Sequence, residues 1–370
     1  MGAVLGVIGG GQLARMMIPA ALELGVEIRV LAESENSSAR LAASAVGDYR
    51  DVATVVDFAR GVDVITFDHE HVPTTVLSAL EAEGIAVRPG PHALLCAQDK
   101  AVMRERLALL GVPVPAWTLA RSLSDVEEFL AAHSDLVVAK TTRGGYDGKG
   151  VRVIAQAGDV ADWLDSGDVL LEEKVEFVTE VAQLVARRPS GEIATWPLVQ
   201  TVQKHGVCSE VMAPAHAGEE SELQARSVAI EIAEGLGVTG VLAVEMFVLP
   251  DGSVLVNELA MRPHNSGHIF TELSYTSQFE QHVRAVLDWP LGDTSLRAPH
   301  GVMVNVFGGV KPDKVSSALN FDHRVKLHDY GKAPRPGRKA GHVSVVGSDR
   351  EEIASLARTA VAALAEDGLA

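Results

Sequence analysis

Cysteine is scarce: the chain of 370 residues has two, Cys96 and Cys208, far apart. That excludes a disulfide scaffold and any multi-cysteine zinc or iron–sulfur site. Basic residues are outnumbered, with 32 Lys and Arg against 49 Asp and Glu, a net charge of −17. A surface this acidic repels nucleic acid and anionic membranes, so neither is expected as a partner. An anionic small ligand would have to be held by local clusters of Lys and Arg. No apolar run approaches the ~18–20 residues of a membrane span. The opening MGAVLGVIGG carries neither the basic segment nor the cleavage pattern of a secretion signal. There is no internal repeat and no low-complexity stretch.

What is present is a core. The chain is 47% apolar with mean hydropathy +0.15. At roughly 100–200 residues per domain its length predicts two or three domains, and a soluble, cytoplasmic α/β protein is the simplest class. The apolar run Val4–Ile8 ends in three glycines and leads into a helical pattern from Gln12 to about Leu24. Strands at Glu27–Leu31 and Val62–Phe67 alternate with helices at Ala53–Arg60 and Thr74–Ala82, which predicts a parallel sheet in a domain of residues 1–95. Asp99–Leu110 reads as a helix, broken by Gly111-Val-Pro-Val-Pro115. Strands at Leu136–Lys140, Val151–Ile154, Val169–Glu172, Glu180–Arg187 and Ile193–Pro197, a helix at Glu219–Leu236 and a hairpin of Val241–Leu249 with Val254–Leu259 suggest an α+β domain over 96–295. Residues 296–370 read as a small basic-tipped module ending in a helix, Glu351–Ala365.

Several constellations carry chemistry. Gly9-Gly10-Gly11-Gln12-Leu13-Ala14 fits G-x-G-x-x-A between strand and helix, with Glu33 at the end of the next strand. This context suits a dinucleotide or any phosphate, and equally a tight turn without a ligand. Thr141–Gly150 places four glycines in seven residues between two strands. It is not a P-loop, because Arg143 and Gly150 stand at its fixed positions. A flexible hairpin folding over a triphosphate explains it, with Lys140 adding an ammonium. The strongest pattern is the hairpin. A turn centred on Asp251-Gly252 sets Glu245 opposite Glu258, with Cβ atoms about 5 Å apart. Two such charges repel by about 3 kcal/mol at an effective dielectric near 20. A divalent cation such as Mg²⁺, bridging to phosphate oxygens, relieves this; a shared proton or a solvated edge is the alternative. Asn257 would alternate to the other face unless the strand ends there.

Arg262-Pro-His-Asn-Ser-Gly-His268 follows directly. Arg262 offers a fork for a carboxylate-like anion, and His264 and Asn265 can hydrogen-bond it. Lys332-Ala-Pro-Arg-Pro-Gly-Arg-Lys339 suits a small phosphate or a solvated loop. Asp68-His69-Glu70-His71 invites a metal reading, but strand alternation would put the two histidines on one side and Glu70 on the other and no other ligand spacing supports zinc, which favours a strand-end loop where Glu70 meets a substrate.

GGGQLARM, AQDKAVMRERL, KTTRGGYDGKG, EEKVEFVTEVA, AVEMFV, VNELAMRPHNSGH, TSQFEQH and YGKAPRPGRKAGH occur in that order. On these motifs, over residues 4–345, the chain resembles the N5-carboxyaminoimidazole ribonucleotide synthetases, ATP-grasp ligases of purine biosynthesis. The resemblance implies an N-terminal Rossmann-like domain, a central ATP-grasp domain and a small C-terminal domain, a homodimer, and ATP-dependent carboxylation of 5-aminoimidazole ribonucleotide by bicarbonate through carboxyphosphate, with Mg²⁺. It implies that Lys100 and Lys140 touch phosphates under a loop of Gly144, Gly145, Tyr146, Asp147, Gly148, Lys149 and Gly150. Glu172 and the Val175 backbone would hold adenine with Gln203 nearby, and Glu180 would take the ribose. Glu245 and Glu258 would bind Mg²⁺ beside Asn257. Arg262, His264 and Asn265 would hold bicarbonate or carboxyphosphate. Glu70, Tyr146, Asp147, Lys332 and Arg338 would bind the ribonucleotide near Gln12 and Leu13, and Asp147 or His264 would take the amine's proton. The sequence departs from the family pattern at Met261, at Asp68 and in Trp196–Gln200. A dinucleotide-binding oxidoreductase built on Gly9–Ala14 and Glu33 is the competing reading. It leaves the two glutamates and both basic clusters without a role.

Overall fold

The computed structural model describes residues 2–133, 135–145 and 150–365. Tyr146, Asp147, Gly148 and Lys149, expected in the site, lie outside the described residues.

Among the described residues the strands form three sheets. Val4–Ile8 is buried from Leu5 onward, as suits a parallel strand covered on both faces. It pairs in parallel with Glu27–Ala32 and Val64–Phe67, and Ala43–Val46 adds an edge. The helices Gln12–Glu23, Val52–Ala59 and Thr74–Ala82 stand where the periodicity puts them. A small antiparallel sheet follows, in the order Trp117–Ala120, Val169–Glu173, Val137–Thr141, Val151–Ile154. The glycine-rich segment connects its last two strands in sequence.

The third sheet is antiparallel. Its order is Val254–Ala260, Gly240–Val248, Thr179–Arg187, Val199–Lys204, Val207–Ala213, His300–Phe307, Lys339–Gly347, Lys326–Asp329, with Ile193–Thr195 beside Thr179–Arg187. Strand alternation sorts its side chains. Val181, Val185, Leu242 and Val244 join the helix Glu219–Gly235 and the N-terminal Phe67, Leu77 and Leu94 in one core. Ala182, Leu184 and Ala243 join Trp196 and Phe270 in another. With Val207–Ala213 paired to His300–Phe307, the sheet joins strands from both sides of residue 295. The three strands after it are not evident from periodicity, because Lys339–Gly347 mixes glycine, serine and histidine into a strand that the sheet and the helix Arg350–Leu364 bury.

A buried histidine ties the first sheet to the third. Val241 N–H donates to His282 Nδ1 at 3.0 Å, so Nε2 carries the ring proton and donates to Thr66 Oγ1 at 2.8 Å. Gly240 makes room: a Cβ there, at φ +100°, would lie 2.8 Å from the imidazole. Burial pushes the His282 pKa down to about 3, so the folded ring is neutral. The unfolded ring takes up a proton below about pH 6.5. The stability held by the neutral ring is therefore full above that pH and is lost as pH falls toward 3. His282→Gln is expected to cost about 2 kcal/mol near pH 7.5, through unpaired buried partners. In urea unfolding, that cost should shrink by about 2 kcal/mol on going to about pH 5. A cost independent of pH contradicts the assignment.

Candidate active site

One cleft of ≈ 1990 Å³ is lined from all three sheets. Every described residue of the expected site borders it except Gly150.

At its centre Glu245 faces Glu258 across the hairpin. The route to that pairing differs from the expectation. Near the turn the ladder is centred on Asp251, with Val248 opposite Val254 and Leu249 N–H donating to Ser253 O at 2.9 Å. That register alone would not align the glutamates. A break between Glu245 and Met246 leaves Asn257 without an opposite residue and restores the pairing. Such a bulge re-aims side chains. Asn257 therefore meets the cleft beside Glu258 instead of alternating away: its Oδ1 accepts from Lys140 Nζ at 3.0 Å, while Glu258 accepts from Lys100 Nζ at 2.9 Å. Burial, then the Glu258 and Glu180 carboxylates, push the Glu245 pKa up to about 7. A carboxylate so raised is one whose charge lacks a counter-ion.

Around this pair the expected cations are present. Lys140 Nζ also lies 2.6 Å from Glu172 Oε2. Glu172 lines the same end of the cleft, its buried carboxylate held by Lys140 through one oxygen and by Arg104 through the other. Arg143 pairs with Asp99 at 2.7 Å, and Lys100 N–H donates to Thr142 O at 2.9 Å, fixing the start of the glycine-rich segment to the Lys100–Leu109 helix. Gly144 and Gly150 take φ of +78° and +74°, conformations open to glycine. Val175, Glu180 and Gln203 line the same end, where burial pushes the Glu180 carboxyl up. Phe177 stacks on Phe247 at 4.7 Å and also lines the cleft. No pattern in the sequence singles out that aromatic pair.

At the far side Glu70 accepts from Arg262 Nε at 2.8 Å and from Met261 N–H at 3.0 Å. One oxygen holds Arg262 and the other the Met261 backbone, and Glu70 borders the cleft. His69 and His71 stack at 5.3 Å and line the same cleft as Glu70; the strand Val64–Phe67 ends before them, so the expected alternation does not apply. His264 Nδ1 accepts from Ser266 N–H, and Nε2 lies 3.3 Å from Glu245 Oε1. Burial and the Arg262 charge hold its pKa well below the usual value, so the ring is neutral and a weak proton acceptor. Asn265 Nδ2 is buried without a partner among the described residues. Gln278, fully buried, accepts from His264 N–H at 2.9 Å and donates to His264 O at 2.8 Å. This two-point clamp on the backbone was hidden in an ordinary helix start. Lys332 donates to Gln12 Oε1, joining residues from the two ends of the chain. Arg338 borders the cleft and donates to Ala333 O at 2.8 Å. Leu13 is buried in the core, so only its backbone is available to a ligand.

The first glycine loop is filled by the protein itself. Ala14 N–H donates to Asp68 Oδ1 at 2.8 Å, and Gly10 N–H to Glu33 Oε2 at 3.0 Å. A Cβ on Gly11 would lie 2.0 Å from Asp68 Oδ2. Carboxylates occupy the donors that a dinucleotide's phosphates would need.

Comparison with known proteins agrees with this architecture. Residues 2–98 match a ribonucleotide synthetase preATP-grasp domain, 105–279 an ATP-grasp domain, and 301–356 a phosphoribosylaminoimidazole carboxylase C-terminal domain. The chain is 48% identical over 375 residues to the N5-carboxyaminoimidazole ribonucleotide synthase of Corynebacterium ammoniagenes, covering 96% of this chain and 91% of that one. An ADP complex of an N5-carboxyaminoimidazole ribonucleotide synthetase superposes with TM-score 0.91 at 35% identity, covering 97% and 96% of the two chains. The Aspergillus clavatus synthase, solved with ADP and 5-aminoimidazole ribonucleotide, gives 0.88 at 28% identity, covering 98% of each. The chain belongs to the N5-carboxyaminoimidazole ribonucleotide synthase family of ATP-grasp ligases.

Proposed function

We infer that the protein uses ATP to carboxylate the amine of 5-aminoimidazole ribonucleotide with bicarbonate, giving N5-carboxyaminoimidazole ribonucleotide, ADP and phosphate. The observation that carries this reading is the facing pair Glu245 and Glu258, flanked by Lys100 and Lys140 at one end of a cleft whose other end is basic. The relatives supply the substrate class: one solved relative holds ADP together with the ribonucleotide.

The donor set fits Mg²⁺. Among the described residues no cluster of three or more His, Cys, Asp or Glu could hold a metal. Two carboxylates are what a hard cation needs when phosphate oxygens and water complete its shell. The raised Glu245 carboxyl supports the same reading, since a cation would relieve it. When bound, Mg²⁺ supplies positive charge against the transferring phosphoryl group.

The residues divide the work by position. Lys100 and Lys140 hold the phosphates, with Glu180, Gln203 and the Val175 backbone toward ribose and adenine. Bicarbonate lies against Arg262 and the unpaired Asn265 amide, with Arg262 held in place by Glu70. A bicarbonate oxygen attacks the γ-phosphorus, the bond to ADP breaks, and carboxyphosphate forms. The ribonucleotide amine, held near Gln12, Lys332 and Arg338, then attacks the carboxyl carbon. Phosphate leaves and the amine loses a proton. The neutral, engaged His264 ring favours Asp147 as the acceptor. The glycine-rich segment of 144–150 excludes water during transfer. Division near residues 95 and 295, a homodimer and a cytoplasmic location belong to the same reading. No helix among the described residues is long and apolar enough to cross a membrane.

ADP formation, measured with bicarbonate and ribonucleotide each omitted in turn, tests the whole. The expected result is ADP release that requires both; NADH binding without ADP release would favour the oxidoreductase. Glu258→Gln should lower turnover by about 100-fold or more while the fold survives, because the charge that steadies the transferring group is lost. Wild-type turnover refutes the metal assignment. Lys332→Ala should raise the ribonucleotide KM by roughly 10- to 100-fold, the worth of a charged hydrogen bond, and leave the ATP KM near wild type. A change confined to ATP would contradict the placement.

A further inference from the structure

Arg104 is fully buried on the helix Lys100–Leu109, whose neighbours Met103 and Leu107 are core residues. A Leu or Met would suit such a position with no charge to desolvate. The guanidinium therefore needs a reason, and its contacts give one. Nε and Nη2 both lie 2.5 Å from Glu172 Oε1, and Nη2 donates to the Asn257 carbonyl at 2.7 Å. Nη1 is buried without a partner among the described residues, so the group is placed by those two acceptors and not by saturation of its donors.

Both acceptors lead to the nucleotide end of the cleft. Asn257 is the extra residue of the bulge, and its side chain and that of Glu258 receive Lys140 and Lys100. Glu172 Oε2 is the other anchor of Lys140. Lys100 and Arg104 stand one turn apart on one helix face and grip consecutive residues of the bulge: Lys100 takes the Glu258 carboxylate, Arg104 the Asn257 backbone. We propose that Arg104 is a positioning residue for the nucleotide site. It pins the bulge that turns Asn257 and Glu258 into the cleft, and it holds Glu172 so that Lys140 stays between Glu172 and Asn257. It touches no substrate. Remove it, and the bulge carbonyl loses its donor while Glu172 is left to Lys140 alone. A lysine cannot replace it, because one ammonium lacks the planar fork that spans a carboxylate and a carbonyl together.

This inference rests on the nucleotide assignment above, and the experiment separates the two. Arg104→Lys and Arg104→Met are compared with wild type for binding of a non-hydrolysable ATP analogue with Mg²⁺ by calorimetry, and for the KM values of ATP and ribonucleotide. Analogue affinity should fall about tenfold or more in Arg104→Met, the usual consequence of losing an outer-shell partner. It should fall several-fold in Arg104→Lys, with the ATP KM rising in step and the ribonucleotide KM staying within about twofold. Wild-type analogue affinity in either folded variant overturns the proposal, and so does a parallel rise in both KM values, which marks a general loss of packing. If Arg104→Met does not fold, Arg104→Lys decides by the same two criteria. If wild-type protein binds the analogue but forms no bicarbonate-dependent ADP, the functional reading fails while the binding comparison still judges Arg104.

Discussion

Two carboxylates held face to face in a partly enclosed cleft are a standing cost. Glu245 and Glu258 repel, burial denies them full solvation, and the Glu245 carboxyl is raised to about 7 as a result. Much of the surrounding structure sustains that arrangement. The bulge at Asn257 supplies the register, Lys100 neutralises Glu258 from one side, and His264 stands against Glu245 from the other. Behind them the buried chain Arg104–Glu172–Lys140–Asn257 fixes the bulge. A cation carried in on phosphates, as proposed above, would relieve that repulsion.

The same electrostatic logic explains why the first glycine loop does not offer its backbone donors to a dinucleotide's phosphates. At the first loop the helix N-terminus is already satisfied by Asp68, with Glu33 on the preceding turn. The loop is then a docking platform for the C-terminal basic segment. Lys332 meets Gln12, and the Ser38 hydroxyl meets the Tyr330 carbonyl. Through these contacts the two ends of the chain close one wall of the cleft. In a protein with a net charge of −17, cations concentrated at that wall and beside the glutamates create the local field that an anionic substrate needs.

How far the sequence was legible follows from what each signal encodes. Helix Thr74–Ala82 and strands Val4–Ile8 and Val151–Ile154 fall where periodicity and glycine breaks predict, because local pattern and burial agree there. The facing glutamates were legible from a hairpin and a turn, yet through a turn centre that was off by half a residue; the bulge made good the difference. A bulge leaves no mark in composition, so strand alternation alone does not turn Asn257 inward, although the family resemblance sets it beside the glutamates. The pairing of Arg104 with Glu172 is not legible in the sequence, because charge patterning assigns such residues to solvent or ligand and only tertiary packing makes them partners. Gln278 was hidden for the same reason: its role is to two backbone atoms fourteen positions away. The C-terminal strands went unseen because their burial comes from neighbours distant in sequence.

The central claim is that Glu245 and Glu258 jointly grip a divalent cation carried by a nucleoside triphosphate. Crystals grown with Mn²⁺ and a non-hydrolysable ATP analogue test it directly through anomalous scattering. The account predicts a manganese peak bounded by carboxylate oxygens of both residues and by phosphate oxygens. A bound nucleotide whose manganese lies away from that pair, or touches neither carboxylate, would contradict it.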